Sequence, residues 1–309
     1  MGVRRFYLTD ALLGRVSMLF ALAVPLVLLS IVVVLYIEAE PSVRAFGFFE
    51  FVFLKVWNPP AGKFGGAPAV FGTLVSTAIA IAIAVPIAIG IAVFLTEIAP
   101  PPLRAPVGVA VELLAAIPSI IYGMWGLFSF APFVRDKVQP VLHSTLGALP
   151  VVGKCFSGYT PGVGLFTASV VLSIMVLPFT SAIARDSFKM VPDILKESAY
   201  ALGATRWDVI RDVVIPYAKL GVVGGVVLSV GRAIGETMAV TFVMGNQPVI
   251  PRSILEPATS ITVTLANEFT EADSTLYLSS LFHLALVLLL LSLVVITAGK
   301  FLLLRRLER

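Results

Sequence analysis

Phe71–Leu95 reads FGTLVSTAIAIAIAVPIAIGIAVFL. Its middle, AIAIAIAV at Ala78–Val85, alternates small and large apolar residues as a β-strand does. Length decides against a strand. A membrane-spanning strand needs about 10 residues, whereas an apolar run of about 25 fits a helix crossing a hydrocarbon core of roughly 30 Å. The stretch reads as a transmembrane helix, and the chain around it as all-α and polytopic.

The rest of the chain agrees. Of its 309 residues 58% are hydrophobic and 13% are charged, against about 25% charged in ordinary soluble domains. Apolar runs at Ser17–Ile37, Phe71–Leu95, Gly108–Phe130, Gly164–Ala184, Lys219–Gly245 and Ser279–Leu304 predict about six spans. The first is too long for a cleaved signal peptide and lacks a small-residue cleavage site. The net charge of +4 is a topological bias rather than a nucleic-acid footprint. Segments expected inside hold about twice as many Lys and Arg as those expected outside, which predicts both termini in the cytoplasm. The single Cys155 closes no internal disulfide.

Residues 1–70 read as an N-terminal tail, first span and outer loop, and 71–309 as the core, with an inner loop at 187–216. The outer loops Glu38–Val70, Ala131–Val163 and Asn246–Leu278 are rich in Pro, Gly, Ser and Thr, which marks turns. The last carries Glu256, Glu268, Glu271 and Asp273, either a solvated loop or part of a docking rim. Pro86, Pro118 and Pro178 lie inside spans and are expected to kink them.

The inner loop is the one long run dense in charge: FKMVPDILKESAYALGATRWDVIRDVVIPY, Phe188–Tyr217. Pro192 suits a helix start, and Leu195, Ser198, Ala199 and Leu202 share a helical face. Gly203 stops that helix by taking positive φ, and Thr205 caps a second short one with Trp207, Ile210 and Val214 on one side. Pro216 closes the second helix and starts the fifth span. This elbow either lies on lipid headgroups or docks in a groove of a soluble partner.

Gly221–Gly245 reads GVVGGVVLSVGRAIGETMAVTFVMG. Arg232 and Glu236, four apart, are expected on one helical face. A charge at the bilayer centre costs about 2.5–3.5 kcal/mol on insertion scales, so it faces the bundle interior or a partner. Two readings stand: a structural ion pair, or a substrate path with Arg232 as fixed cation for an oxyanion, lined also by Ser229 and Thr237. Guanidinium suits tetrahedral oxyanions through paired hydrogen bonds. Glu236 then balances Arg232 in an empty path, or accepts a proton that phosphate carries and sulfate lacks. Gly221, Gly225, Gly231 and Gly235 form small-xxx-small pairs for close helix packing.

Enzyme chemistry finds no footing. There is no G-x-x-x-x-G-K-[ST], G-x-S-x-G or H-E-x-x-H pattern. His143 and His283 stand without metal-ligand spacing, and Glu112 reads as an interface carboxylate.

The order Glu197-Ser198-Ala199, three residues, Gly203, nine residues, then a segment ending in Ile215-Pro216 resembles the EAA loop of ATP-binding-cassette importer permeases. Ser198 stands for the middle Ala, and Ile215 for Leu. GRAIGETMAV at Gly231–Val240 and LLAAIPSIIYGMWGLF at Leu113–Phe128 are similar to the permeases of bacterial phosphate importers, PstC type. GRAIGET is shared with the sister PstA type, and sulfate and molybdate permeases remain rivals. The resemblance implies a type I importer fold in the cytoplasmic membrane. It implies half a translocation path, coupled through Glu197, Ala199, Gly203, Trp207 and Pro216 to a separate PstB-type ATPase dimer. It also implies a PstA-type second permease and an extracytoplasmic PstS-type phosphate-binding protein. ATP and Mg would be bound by the ATPase, with no cofactor, metal or catalysis in this chain.

Overall fold

The computed structural model describes residues 2–145, 147, 152–156 and 161–305. Helices dominate, and the described residues form isolated β-bridges but no strand. In chain order they are α1 (Gly2–Phe46), α2 (Phe48–Phe53), α3 (Ala67–Ile98), α4 (Pro101–Ala116) and α5 (Ser119–Thr145). Then follow α6 (Leu165–Lys189), α7 (Asp193–Ala201), α8 (Arg206–Ile234), α9 (Met238–Val243), α10 (Ile261–Glu268) and α11 (Thr275–Arg305). Five of these are long and apolar enough to cross a membrane, and the pair α4–α5 makes a sixth candidate.

The strand-like alternation in α3 has a helical purpose. Four is an even number, so an Ala at every second position also places Ala at every i+4. Ala80, Ala84, Ala88 and Ala92 line one face and are fully buried. With Gly72, Thr73, Ser76 and Thr77 they let α3 lie close along α6, the small-residue packing that membrane helices use. Gly221 and Gly225 do the same for α8. A Cβ on either would stand 2.3 Å from the Ser187 hydroxyl or 2.6 Å from Ile183.

The prolines behave differently from one another. α3 and α6 run unbroken through Pro86 and Pro178. At Pro118 the expected straight span Gly108–Phe130 is instead bent by 88°. Ile117 is extended there, the conformation a following proline imposes, and Pro118 caps the next helix. The Tyr122 hydroxyl donates to the Leu114 carbonyl at 2.8 Å, satisfying a group the break would orphan. The loop expected at Ala131–Val163 is in part helix, since α5 runs on to Thr145 through two π-turn segments. Its Ser157–Thr160 lies outside the described residues.

Contacts fix the order of ends. The C-terminal end of α3 meets α7 through Glu97 and Lys196, at the inner-loop end of the bundle. α6 is 25 residues long, so Leu165 stands at the opposite end from Lys189, roughly 37 Å away. The chain therefore crosses once between Glu97 and Leu165, and α4–α5 supplies that crossing. The far ends of α3 and α10 meet where Thr73 Oγ1 accepts the Ile261 N–H at 3.0 Å. Ser42 of α1 bonds His283 of α11 at 3.1 Å near that same end. The start of α1 and the end of α11 thus lie with the inner loop.

Around Ser42 the end of the bundle opposite the elbow is packed with rings. His283 is fully buried, stacked at 4.0 Å on Phe51. Trp57, Phe64, Tyr277 and Leu281 complete the cluster. Glu268 belongs to it rather than to an exposed acidic rim. Its carboxylate accepts from Trp57 Nε1 at 2.7 Å and from the Tyr277 hydroxyl at 2.6 Å. Glu256 accepts the Arg252 and Ser253 N–H groups, whereas Glu271 and Asp273 are exposed.

Candidate functional site

The elbow is built by local rules. α7 ends where Gly203 takes φ +87°, with open space around it. Gly203 N donates to the Tyr200 carbonyl at 2.9 Å, and Ala204 N to the Ala199 carbonyl at 3.1 Å. That pair of bonds is the Schellman close of a helix, and φ rather than space makes glycine the residue of choice. Thr205 then begins α8 with a reciprocal cap. Its hydroxyl accepts from Asp208 N at 3.3 Å, and Asp208 accepts from Thr205 N at 2.8 Å.

Two expectations for the elbow need correcting. Pro216 does not close a short second helix, because α8 is continuous from Arg206 to Ile234. The turns at Val209–Val214 are widened into a π-segment just before Pro216. A widened ladder absorbs the missing N–H and the ring that would break an ordinary helix. Nor do the apolar residues share faces as the spacing suggests. Val209 and Val214 are buried in one cluster with Phe188 and Val191, and Ile210 is buried as well, while Trp207 is 64% exposed. Of the α7 face, Ala199 packs inward, whereas Leu202 is 90% exposed. Glu197 and Ser198 are exposed as well. The elbow thus leaves Ile194, Tyr200, Leu202, Trp207 and Glu197 exposed.

The second region departs further from its expectation. α8 ends at Ile234, Gly235 leaves the helix, and α9 begins only at Met238. Arg232 and Glu236 therefore do not share a helical face, and no carboxylate of the described residues pairs with Arg232. Arg232 is exposed, with its guanidinium 5.6 Å from the Phe179 ring centroid. Glu236 works on the backbone. Its carboxylate accepts from Ala239 N at 3.4 Å, and its carbonyl accepts the Thr262 hydroxyl at 2.8 Å. Thr237 carries the helix start, its carbonyl accepting from Thr241 N at 3.0 Å and from the Thr241 hydroxyl at 2.8 Å. Ser229 is not open to solvent as Arg232 is. It is fully buried, donating to the Gly225 carbonyl at 2.8 Å and bonded to Thr180 at 2.7 Å.

The two broken spans meet. α5 packs on α9 so tightly that a Cβ on Gly123 would stand 2.7 Å from Phe242 and 3.1 Å from the Ala239 Cα. Interrupted membrane helices expose backbone groups where they line a path, and they mark binding sites in many transporters. The sequence signalled one break through Pro118 and hid the other. A pair that ties the elbow to α3 was missed altogether: Lys196 and Glu97, 2.8 Å apart. Glu112 does sit at an interface, accepting from Arg185 at 2.7 Å.

Residues 84–308 match the family model described as binding-protein-dependent transport system inner membrane component. The chain is 48% identical over 98% of its length to the phosphate transport system permease protein PstC of Mesorhizobium japonicum, covering 92% of that protein. It is 49% identical to the PstC of Pasteurella multocida, covering 97% of this chain and 93% of that one. Among solved structures, a bacterial transporter importing the acidic polysaccharide alginate superposes with a TM-score of 0.62 at 16% identity, over 94% of this chain and 96% of that one. The MetNI methionine transporter superposes with a TM-score of 0.58 at 20% identity, over 77% of this chain and 94% of that one. These two show the fold alone, that of type I importer permeases. The chain belongs to the family of inner-membrane components of binding-protein-dependent transport systems, and within it to the PstC permeases. It is a multi-pass transport subunit of a system that includes an ATPase and a binding protein.

Proposed function

We propose that the chain forms half of the translocation path of an ATP-driven importer of inorganic phosphate, with Arg232 as the fixed cation of the path. The observation that supports this reading is Arg232 itself, exposed at the broken end of a membrane helix with no carboxylate partner among the described residues. An arginine in a bilayer needs a water-filled path, an anion or another protein beside it. The second half, on this reading, is a PstA-type permease facing the α8–α9 break. A PstS-type protein delivers phosphate outside, and a PstB-type dimer binds ATP and Mg. This chain then needs no catalytic group or cofactor of its own. The exposed elbow residues Glu197, Leu202 and Trp207 receive closure of the ATPase dimer, and the spans rock between outward- and inward-open states.

The elbow end of the bundle is taken as cytoplasmic, because the Lys and Arg excess lies there. On a Cys155→Ser background, Asp273→Cys should react with an impermeant thiol reagent outside the cell, and Ser198→Cys should not. Both sites are exposed, so the opposite pattern would overturn the orientation.

The substrate is tested by labelled phosphate uptake into vesicles holding the assembled transporter. Unlabelled phosphate should compete, and sulfate or molybdate at the same concentration should not. Equal competition by sulfate would mean that the path recognises oxyanions in general.

A further inference from the structure

α7 has no fully buried residue. Its load passes inward through Ala199, through its chain ends, and through one ion pair. Lys196 Nζ lies 2.8 Å from Glu97 Oε1, with side chains only 18% and 9% exposed. This is the most enclosed ion pair among the described residues. Glu97 sits in the five-residue π-segment Phe94–Ile98 that ends α3. Such wide turns yield more easily than α-helix and recur at functional positions. Beside the pair opens a cavity of about 590 Å³, walled by Thr96, Arg104, Glu112, Arg185 and Lys189. Beside the apolar cluster that Ala92 of α3 shares with Ala199 and Val209, the polar contact between elbow and span is two opposite charges at the edge of open space, with other charges within the same cavity. Close-packed side chains resist sliding, whereas an ion pair beside a cavity holds two elements together while they turn.

We infer that Lys196 and Glu97 are positioning residues that carry the movement of the elbow into α3, coupling ATPase closure to the opening of the path. This rests on the coupling role proposed above for the elbow. No base, nucleophile or substrate contact is involved. The pair works by keeping the end of α3 in step with α7.

The test uses the whole transporter reconstituted in vesicles, reading phosphate imported per ATP hydrolysed beside the amount of assembled complex. Glu97→Gln and Lys196→Gln should each hydrolyse ATP yet import about tenfold less phosphate per ATP. Glu97→Asp, which keeps the charge on a shorter stem, should fall between. The exchange Glu97→Lys with Lys196→Glu should restore at least a third of the lost coupling, on the order expected when opposite charges are re-formed in an enclosed site. Single variants with unchanged phosphate per ATP would overturn the inference. So would an exchange variant as uncoupled as the singles, or one that recovers assembly alone. The elbow's own role is read separately from Glu197→Lys with Gly203→Pro. If that variant is uncoupled while the Lys196 and Glu97 variants are not, the pair is excluded and the elbow stands.

Discussion

The elbow and the α8–α9 break are both short, both charged and both formed at the ends of helices, yet they are held in different ways. The hydrogen bonds that form the elbow's turn join residues at most five apart, from Ala199 with Ala204 to Thr205 with Asp208, and the ion pair of Lys196 with Glu97 then ties it to α3. The break has local bonds too, but it is also held from a distance, by Thr262 on the Glu236 carbonyl and by α5 against α9. The elbow's turn is shaped by near neighbours and keeps an exposed surface. The break draws part of its support from other helices of the bundle. A handle presents a surface to a partner, whereas a path must be framed by the protein around it.

If that contrast is right, damage to the handle should disconnect the transporter without dismantling it. Glu197→Lys with Gly203→Pro reverses a charge on the exposed face, deletes the Gly203 N–H and forbids φ +87°. Phosphate uptake should fall to background, with protein still inserted and ATP hydrolysis no longer responding to the loaded binding protein. Normal uptake would remove the elbow from the coupling route.

Damage to the frame should instead cost assembly. Gly123→Leu drives a side chain into Phe242 and the Ala239 backbone, an overpacking worth about 1–3 kcal/mol or more. The melting temperature of the complex should drop by several degrees (about 2–4 °C per kcal/mol in a protein of this size), and uptake with it. An unchanged melting point would mean that α5 and α9 are not the close pair described.

The smallest effect is expected at Ser229. Its buried hydroxyl ties α8 to α6 through Thr180, so Ser229→Ala should cost about 0.5–1.5 kcal/mol of stability. The KM for phosphate should not change. A raised KM with unchanged stability would return Ser229 to the path.

How far the sequence could be read follows the same division. The all-α membrane fold, the Gly203 stop and the Thr205 cap were legible, because apolar length and near-neighbour chemistry decide them. Arg232 and Glu236 were misplaced because i,i+4 spacing gives a shared face only while the helix lasts. Gly235 ends it, and one bond that stabilises that ending comes from Thr262, 26 residues on from Glu236. Pro118 was read as a kink, but an 88° turn needs Tyr122 to satisfy the freed carbonyl. Lys196 and Glu97 are 99 residues apart, and neither carries a local pattern that predicts the other.

The central claim is that Arg232 stands free for an anion rather than holding the fold through Glu236. It is tested most directly by Arg232→Met, with phosphate uptake measured beside the quantity of assembled transporter. With no Glu236 partner to orphan, the variant should assemble at the wild-type level. Uptake should fall by roughly a hundredfold, the weight of losing charge-assisted contacts of about 3 kcal/mol. Wild-type uptake per assembled complex, or a complex that fails to assemble until Glu236 is also neutralised, would contradict it.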